Sequence, residues 1–256
     1  MKKALLYTFV FLAIQWLVPF LISTTLNIAG KEVDKQDALT LIIFTAAASV
    51  VTMALFLYLH WTKVSRSYVQ SRPWIVLCWC GLAAVGCVIP SVWLQEQMPE
   101  LPNLMEQQFD MILKNRWGYL VVGLLAPVCE ELVFRGAVLR ALLRWKPANH
   151  WLAIAISAVL FALIHVNPAQ MPHAFVVGLL LGWLYYRTDS VVPGVVYHWI
   201  NNSIAYVVYN FYPDPSLRLI DLFGSQRSVA AAILFSLFIL LPSLYQLNMR
   251  LKKAEW

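Results

Sequence analysis

The sequence contains very little charge. Only 12% of its 256 residues are Asp, Glu, Lys or Arg, whereas 61% are hydrophobic. A soluble globular domain carries about twice that share of charged residues, so the composition excludes that class of protein. The formal charge of +6 comes from scattered residues and not from a basic run, which argues against binding to nucleic acid.

Cysteine is also scarce, and its positions exclude two further classes. The four cysteines all lie within apolar segments, at Cys78, Cys80, Cys87 and Cys129. This placement predicts small buried side chains, and neither a disulfide framework nor a thiolate metal site. Internal repeats and low-complexity segments are missing as well, so we expect a single integral membrane domain over residues 1–256.

Long apolar runs are what the sequence has in abundance. A hydrocarbon core needs about 20 consecutive apolar residues in a spanning helix. Candidate segments are 4–26, 38–59, 74–94, 117–143, 151–166, 172–186, 191–211 and 229–249. The sequence therefore predicts an all-α, polytopic transmembrane bundle of about eight helices in the cell membrane, with the fifth and sixth segments the shortest. The first run is too long for the apolar part of a signal peptide, so we interpret it as a retained helix.

The basic residues in the connections predict the orientation of the bundle. If the N-terminus is cytoplasmic, the connections on that side carry about twice as many Lys and Arg residues as the other side. Both termini are then cytoplasmic. In the outer connection 99–116, apolar and polar residues alternate with helical spacing, which predicts an amphipathic helix on the membrane surface; an ordinary polar loop is the alternative.

Two adjacent glutamates stand in the middle of the fourth apolar segment. A carboxylate inside a bilayer is costly, so Glu130 and Glu131 mark a candidate functional site. Arg135 lies four residues after Glu131, the spacing at which an acid and a base face each other on a helix. This leaves Glu130 as the freer carboxylate and a candidate general base. The alternative is a buried ion pair that only locks helix packing. Pro127 predicts a kink beside the pair.

Three polar residues on later segments complete a constellation. His165 ends the fifth segment, and His198 and Asn202 lie four residues apart on the seventh. A carboxylate and a histidine can hold and deprotonate water, while a histidine and an asparagine can donate to an oxyanion. Alternatively, Glu130, His165 and His198 could ligate zinc or another divalent metal. Counting helical rise places Glu130 and His198 at one depth but His165 about 10 Å further outward.

The polar residues form three motifs that resemble one known family. Residues 130–135 match EExxxR, residues 161–165 match FxxxH and residues 198–202 match HxxxN. All three occur in order within residues 117–211, and the chain resembles the CPBP (Abi) intramembrane proteases, which include the type II CAAX prenyl endopeptidases. The remaining helices carry no such resemblance.

The resemblance implies an intramembrane endopeptidase and a role for each motif residue. Glu130 would be the catalytic base, His165 would help to orient the water, and His198 with Asn202 would stabilise the oxyanion. Glu131 and Arg135 would support them. Metal-dependent members have also been described, but we favour a metal-free site because the two glutamates diverge and an HExxH pair is missing.

The expected partners are membrane lipid and a peptide or protein substrate, with or without a lipid group. A non-catalytic immunity or scaffold protein on the same fold is the main alternative. A transporter would usually show repeat symmetry or paired broken helices, which the sequence lacks.

Overall fold

The computed structural model describes residues 1–34, 36–63, 66–214 and 217–251. Within these residues the chain is helical and contains no β-strand. The α-helices outside the glutamate region are α1 (Lys2–Ile28), α2 (Ala38–Tyr58), α3 (Arg66–Gln70), α4 (Trp74–Glu96), α5 (Glu106–Lys114), α8 (His150–Leu163), α9 (Met171–Thr188), α10 (Val192–Phe211), α11 (Leu219–Phe223) and α12 (Gln226–Arg250).

The glutamate region is one continuous helix with two changes of register, which we call the composite helix. It comprises π1 (Leu120–Leu125), α6 (Ala126–Val133), π2 (Phe134–Leu139) and α7 (Arg140–Trp145). Each of the eight predicted apolar segments is therefore helical, as expected.

The fifth and sixth segments have different boundaries from those predicted. Helix α8 ends at Leu163 and not at residue 166, because Val166 adopts a left-handed backbone conformation with φ of 51°. The buried Asn167 side chain then accepts a hydrogen bond from the Leu104 amide at 3.0 Å and donates one to Asn103 at 2.8 Å. These bonds tie the turn to the connection between α4 and α5. Helix α9 extends to Thr188 and ends where Asp189 adopts a left-handed backbone conformation.

Side-chain contacts at the two ends show how the helices alternate in direction. At one end, Lys63 pairs with Asp189 at 2.5 Å, and Arg187 donates to the Leu251 carbonyl after α12. At the other end, the Leu219 amide donates to Glu96 at 2.6 Å. Helix α1 begins and α12 ends at the same end of the bundle. That this end is cytoplasmic stays a prediction.

The surface of the bundle is suited to lipid. Helices α1, α2, α4 and α12 are long and apolar enough to cross a membrane, and α8 is a shorter apolar helix. Large apolar side chains on α1 and α12 are exposed, including Trp16 at 70% and Phe235 at 69%. In water such a surface would be unfavourable, whereas acyl chains solvate it. The chain is a multi-pass membrane protein, and the exact number of spans stays a prediction.

The amphipathic segment forms a shorter helix than its sequence range suggests. Helix α5 begins at Glu106, and its Ile112 side chain is buried in a cluster with Ile42 and Val121. Asp110 pairs with Lys114 at 2.8 Å and accepts a hydrogen bond from Tyr209 of α10. The predicted helix is confirmed, and the structure shows that it packs on α2 and the composite helix through this apolar face and contacts α10 through Asp110.

Candidate active site

The two π-helical segments lie on either side of the glutamates. Pro127 is the second residue of α6, directly after π1. Because proline has no N–H and its ring crowds the preceding turn, a wider turn at this point relieves the helix. The predicted distortion near Pro127 is confirmed. The second π segment contains no proline, and all six of its residues are buried.

Side chains from other elements satisfy backbone carbonyls of the composite helix. Asn202 of α10 donates to Val122 at 3.0 Å, Thr62 donates to Leu132 at 2.6 Å, and Ser157 of α8 donates to Phe134 at 3.2 Å. A change of helical register leaves carbonyls short of partners, and in an apolar environment each must find one. These bonds fix the positions of α8 and α10 relative to the glutamates.

Glu131 is the centre of the buried charge network. Its side chain is fully buried, and Oε1 accepts hydrogen bonds from Arg135 at 2.8 Å and from His198 Nδ1 at 3.2 Å. The pairing of Glu131 with Arg135 that helical spacing predicts is present, and His198 adds a second contact to the same oxygen. Gly194 leaves room for this carboxylate, because a Cβ there would lie 2.6 Å from Oε2.

Arg135 is held on three sides. Beyond Glu131, its guanidinium donates to the Gly178 carbonyl at 3.3 Å and lies 4.3 Å from the centre of the Phe161 ring. The carbonyl is within reach because α8 and α9 approach closely, and a Cβ at Gly178 would lie 3.0 Å from that of Ala158. A buried cation with a carboxylate, a carbonyl and an aromatic face is well compensated.

Glu130 points to the other nitrogen of His198. Its Oε2 lies 3.8 Å from His198 Nε2, and its side chain remains 17% exposed. The distance is too long for a direct hydrogen bond but allows one water molecule to contact both atoms. Because the Glu131 carboxylate only accepts, His198 donates from Nδ1, and in the neutral ring Nε2 then carries the lone pair.

His165 reaches the same region through Phe161. Its Nδ1 lies 2.8 Å from the Phe161 carbonyl, and the Phe161 ring meets His165 and His198 edge-on, at centroid distances of 5.0 and 5.9 Å. The predicted 10 Å offset in depth is wrong. The composite helix runs on to Trp145 and α8 begins at His150, so Glu130 and His165 are equally far along the chain from the turn that joins the two helices.

His173 lies near the candidate site, a proximity that the sequence did not predict. It lies in the first turn of α9 and interacts electrostatically with both His198 and His165. The available signal was a third imidazole inside a predicted membrane segment, eight residues after His165. No motif contains it, and its proximity arises only because the turn after α8 folds back.

Asn202 lies one helical turn beyond His198 but is engaged elsewhere. Its amide donates to the Val122 carbonyl of π1. The structure therefore brings Glu130, Glu131, Arg135 and His198 into direct proximity, joins His165 to them through Phe161, and holds Asn202 against the composite helix. The oxyanion role of Asn202 stays a prediction.

The residues named for the metal alternative do not form a ready ligand set. In the part of the chain that the structure describes, no three His, Cys, Asp or Glu side chains lie close enough together to hold a metal ion. The positive charge of Arg135 also lies beside Glu131, whose carboxylate contacts His198 as well. The metal-free site predicted from sequence stays a prediction.

Comparison with known proteins agrees with the motifs. Residues 112–204 match the family described as type II CAAX prenyl endopeptidase Rce1-like. The UPF0177 protein YxdF of Lactococcus lactis subsp. lactis (strain IL1403) is 25% identical over 105 residues, which cover 40% of this chain and 51% of that protein. The chain thus spans about half the length of this curated relative. No solved structure matches the chain. Residues 112–204 contain all three motifs, so the similarity to the Rce1-like family of type II CAAX prenyl endopeptidases covers the whole candidate site.

Proposed function

We propose that the protein is an intramembrane endopeptidase in which Glu130 and His198 activate one water molecule. The observation that carries this proposal is the 3.8 Å separation of Glu130 Oε2 and His198 Nε2, two acceptors that face one point. Glu131 fixes the imidazole from its other side. Such an arrangement is typical of general base catalysis, in which the base is oriented by a further group.

The proposed reaction is hydrolysis of a peptide bond. The water donates its two O–H groups to Glu130 and His198, so that an oxygen lone pair points toward the substrate carbonyl. As the new C–O bond forms, Glu130 takes a proton from the water. Glu130 then transfers that proton to the amide nitrogen as the C–N bond breaks, which releases an amine and a carboxylic acid.

The other motif residues would act on the oxyanion and on the orientation of the water. In the alternative in which His198 is already doubly protonated, Glu130 alone would hold the water and His198 would donate from Nε2 to the oxyanion, with Glu131 placed to stabilise the imidazolium charge. Asn202 would join it by exchanging its hydrogen bond to Val122 for one to the substrate. His165, which lies against the same Phe161 ring as His198, would help to orient the water.

The proposed substrate is a peptide that enters the membrane through its own apolar residues or through a lipid group. Two observations support this class. The site lies among apolar helices, and the matched family is described by its action on CAAX prenyl substrates. Because the chain spans about half of its curated relative, the activity and the substrate are proposals for this chain.

Peptide cleavage by the purified full chain in detergent tests the proposal. The substrates are a farnesylated CAAX peptide and the same peptide without the lipid. We expect wild-type protein to cleave one of them and Glu130→Gln to be at least about 100-fold slower. Glu100→Gln, which removes an exposed carboxylate outside the site, should cleave at the wild-type rate.

Three results would count against the proposal. Cleavage that survives in Glu130→Gln contradicts the role of the base. Folded wild-type protein that cleaves neither peptide favours the immunity or scaffold alternative. Loss of activity with a chelator, restored by added zinc, favours the metal-dependent mechanism.

A further inference from the structure

A cavity lies away from the glutamates, at the end of the bundle where α1 begins. It has a volume of about 670 Å³, within the range of small-molecule sites. The first residues of α1, the turn after α2, and the last two turns of the composite helix form its walls. Nothing in the proposed reaction uses it.

The cavity carries charge of one sign. Lys2, Lys3, Arg140 and Arg144 line it, and its lining contains no Asp or Glu. None of these four cations forms a salt bridge with any residue in the described ranges. Arg140 is half-buried, and the other three cations are exposed. Cations that line one cavity repel one another, so an anion in the cavity is stabilised by all of them.

The cavity also has an apolar side that continues onto the membrane surface. Tyr7 and Trp61 form an aromatic wall, with ring centroids 4.7 Å apart. Leu6 lines the cavity and is 50% exposed, and Phe9 follows along α1 with 69% exposed. A ligand that fits both parts has an anionic head and a long apolar tail.

We propose that this cavity binds the phosphate headgroup of an anionic phospholipid whose acyl chain lies along α1. Basic pockets between membrane helices are suited to such headgroups. A free phosphate compound would satisfy the cations but would make no use of the exposed Leu6 and Phe9 surface. The bound lipid would link the start of α1 to the composite helix, which carries the glutamates.

Native mass spectrometry of the full chain, with added dioleoyl phosphatidylglycerol or dioleoyl phosphatidylcholine, tests this inference. We expect wild-type protein to retain phosphatidylglycerol and to bind phosphatidylcholine much more weakly. Arg140→Gln/Arg144→Gln should weaken retention about 30-fold, from the loss of two cations near an anionic headgroup. Lys2→Gln/Lys3→Gln, at the exposed start of the chain, should have a similar effect with less risk to folding.

Lys31→Gln/Arg227→Gln provides the matched control, since it removes two exposed cations at the opposite end of the bundle. This variant should retain phosphatidylglycerol like wild type. Unchanged retention in both cavity variants, or equal retention of the two lipids, would overturn the proposal. If glycerol 3-phosphate displaces the lipid at equal concentration, the cavity binds a free anion and the lipid assignment is wrong. Unchanged melting temperatures without lipid show that the variants are folded.

Discussion

Glu130 and Glu131 are neighbours in sequence but have different surroundings. Glu131 is fully buried and shares one oxygen between Arg135 and His198, whereas Glu130 remains 17% exposed and faces His198 Nε2. A carboxylate with two hydrogen-bonded partners is held in place, and it is suited to orienting the imidazole. Among the described residues, Glu130 is free of such partners and can receive and release a proton, which is what a general base requires.

Gly194→Ala should reduce activity by about 10-fold to 100-fold, because small displacements of catalytic groups are costly. The new Cβ would lie 2.6 Å from Glu131 Oε2, so Glu131 or α10 must move and His198 with it. Peptide cleavage measures the loss of activity, and thermal unfolding measures any loss of stability.

The control for this prediction is Gly81→Ala. Its Cβ would meet only the terminal Cδ1 atom of Ile200, at 2.8 Å, and that flexible side chain can turn away. Equal activity losses in the two variants would show that the space around Glu131 has no special importance.

Sequence predicted those contacts of the candidate site that depend on a local spacing. The four-residue separation of Glu131 and Arg135 fixed their pairing, because one helix determines it. His173 was missed because its proximity to His165 and His198 depends on three separate helices. The sharing of Glu131 by His198 was missed for the same reason.

At the scale of elements, the composite helix depends on side chains that other segments supply. Of its two π segments, only the first has a sequence signal, Pro127. The second is buried, and its first residue, Phe134, accepts a hydrogen bond from Ser157, while Thr62 donates to Leu132 two residues before it. These donors are far away in sequence, so the second change of register could not be predicted from the helix itself.

Thr62→Val should destabilise the protein by about 1 kcal/mol, because the partly buried Leu132 carbonyl loses its side-chain donor. Valine keeps the shape of threonine, including the methyl group that packs against Gly136. Thr25→Val is the matched control, since Thr25 also donates to a backbone carbonyl, at 2.8 Å, but on an exposed helix face. Chemical denaturation in detergent compares the two, and an equal change in both variants would contradict the role given to Thr62.

The attachment of α5 should depend on pH through Asp110. The hydrogen bond from Lys114, with a further one from Tyr209, lowers the pKa of Asp110 below its ordinary value. A carboxylate with a lowered pKa stabilises the folded state above its ordinary pKa of about 4, and that contribution is lost as pH falls through the lowered value.

Hydrogen exchange of residues 106–114, corrected for intrinsic rates, measures this attachment. Protection should persist from pH 7 to about 4 and decrease only below that range. Asp110→Asn should show the lower protection already at pH 7. Equal protection in the variant and the wild type at pH 7 would show that Asp110 does not hold α5 on α10.

For the whole molecule, the lengths of the apolar segments were sufficient to predict eight helices, but they did not predict which helices pack against each other. The clearest case is His165, whose depth was misjudged because the composite helix extends to Trp145. Lateral packing depends on small residues such as Gly178 and on buried hydrogen bonds, and neither gives a periodic signal. The sequence therefore predicts the helices of the bundle better than it predicts how they pack.

The orientation of the bundle can be tested with introduced cysteines and a membrane-impermeant thiol reagent. Because basic residues are concentrated on the predicted cytoplasmic side, Lys31→Cys should be labelled in intact cells. Lys146→Cys, in the exposed turn before α8, should be labelled only after the membrane is opened. The reverse pattern would place the beginning of α1 and the end of α12 outside the cell.

The most direct test of the central claim compares Glu130→Gln, His198→Gln and the double variant in the peptide-cleavage assay. If both groups act on one water molecule, each single change lowers the rate by about 100-fold or more, and the double change lowers it little further. Independent losses that multiply in the double variant would contradict the claim that Glu130 and His198 form one catalytic unit.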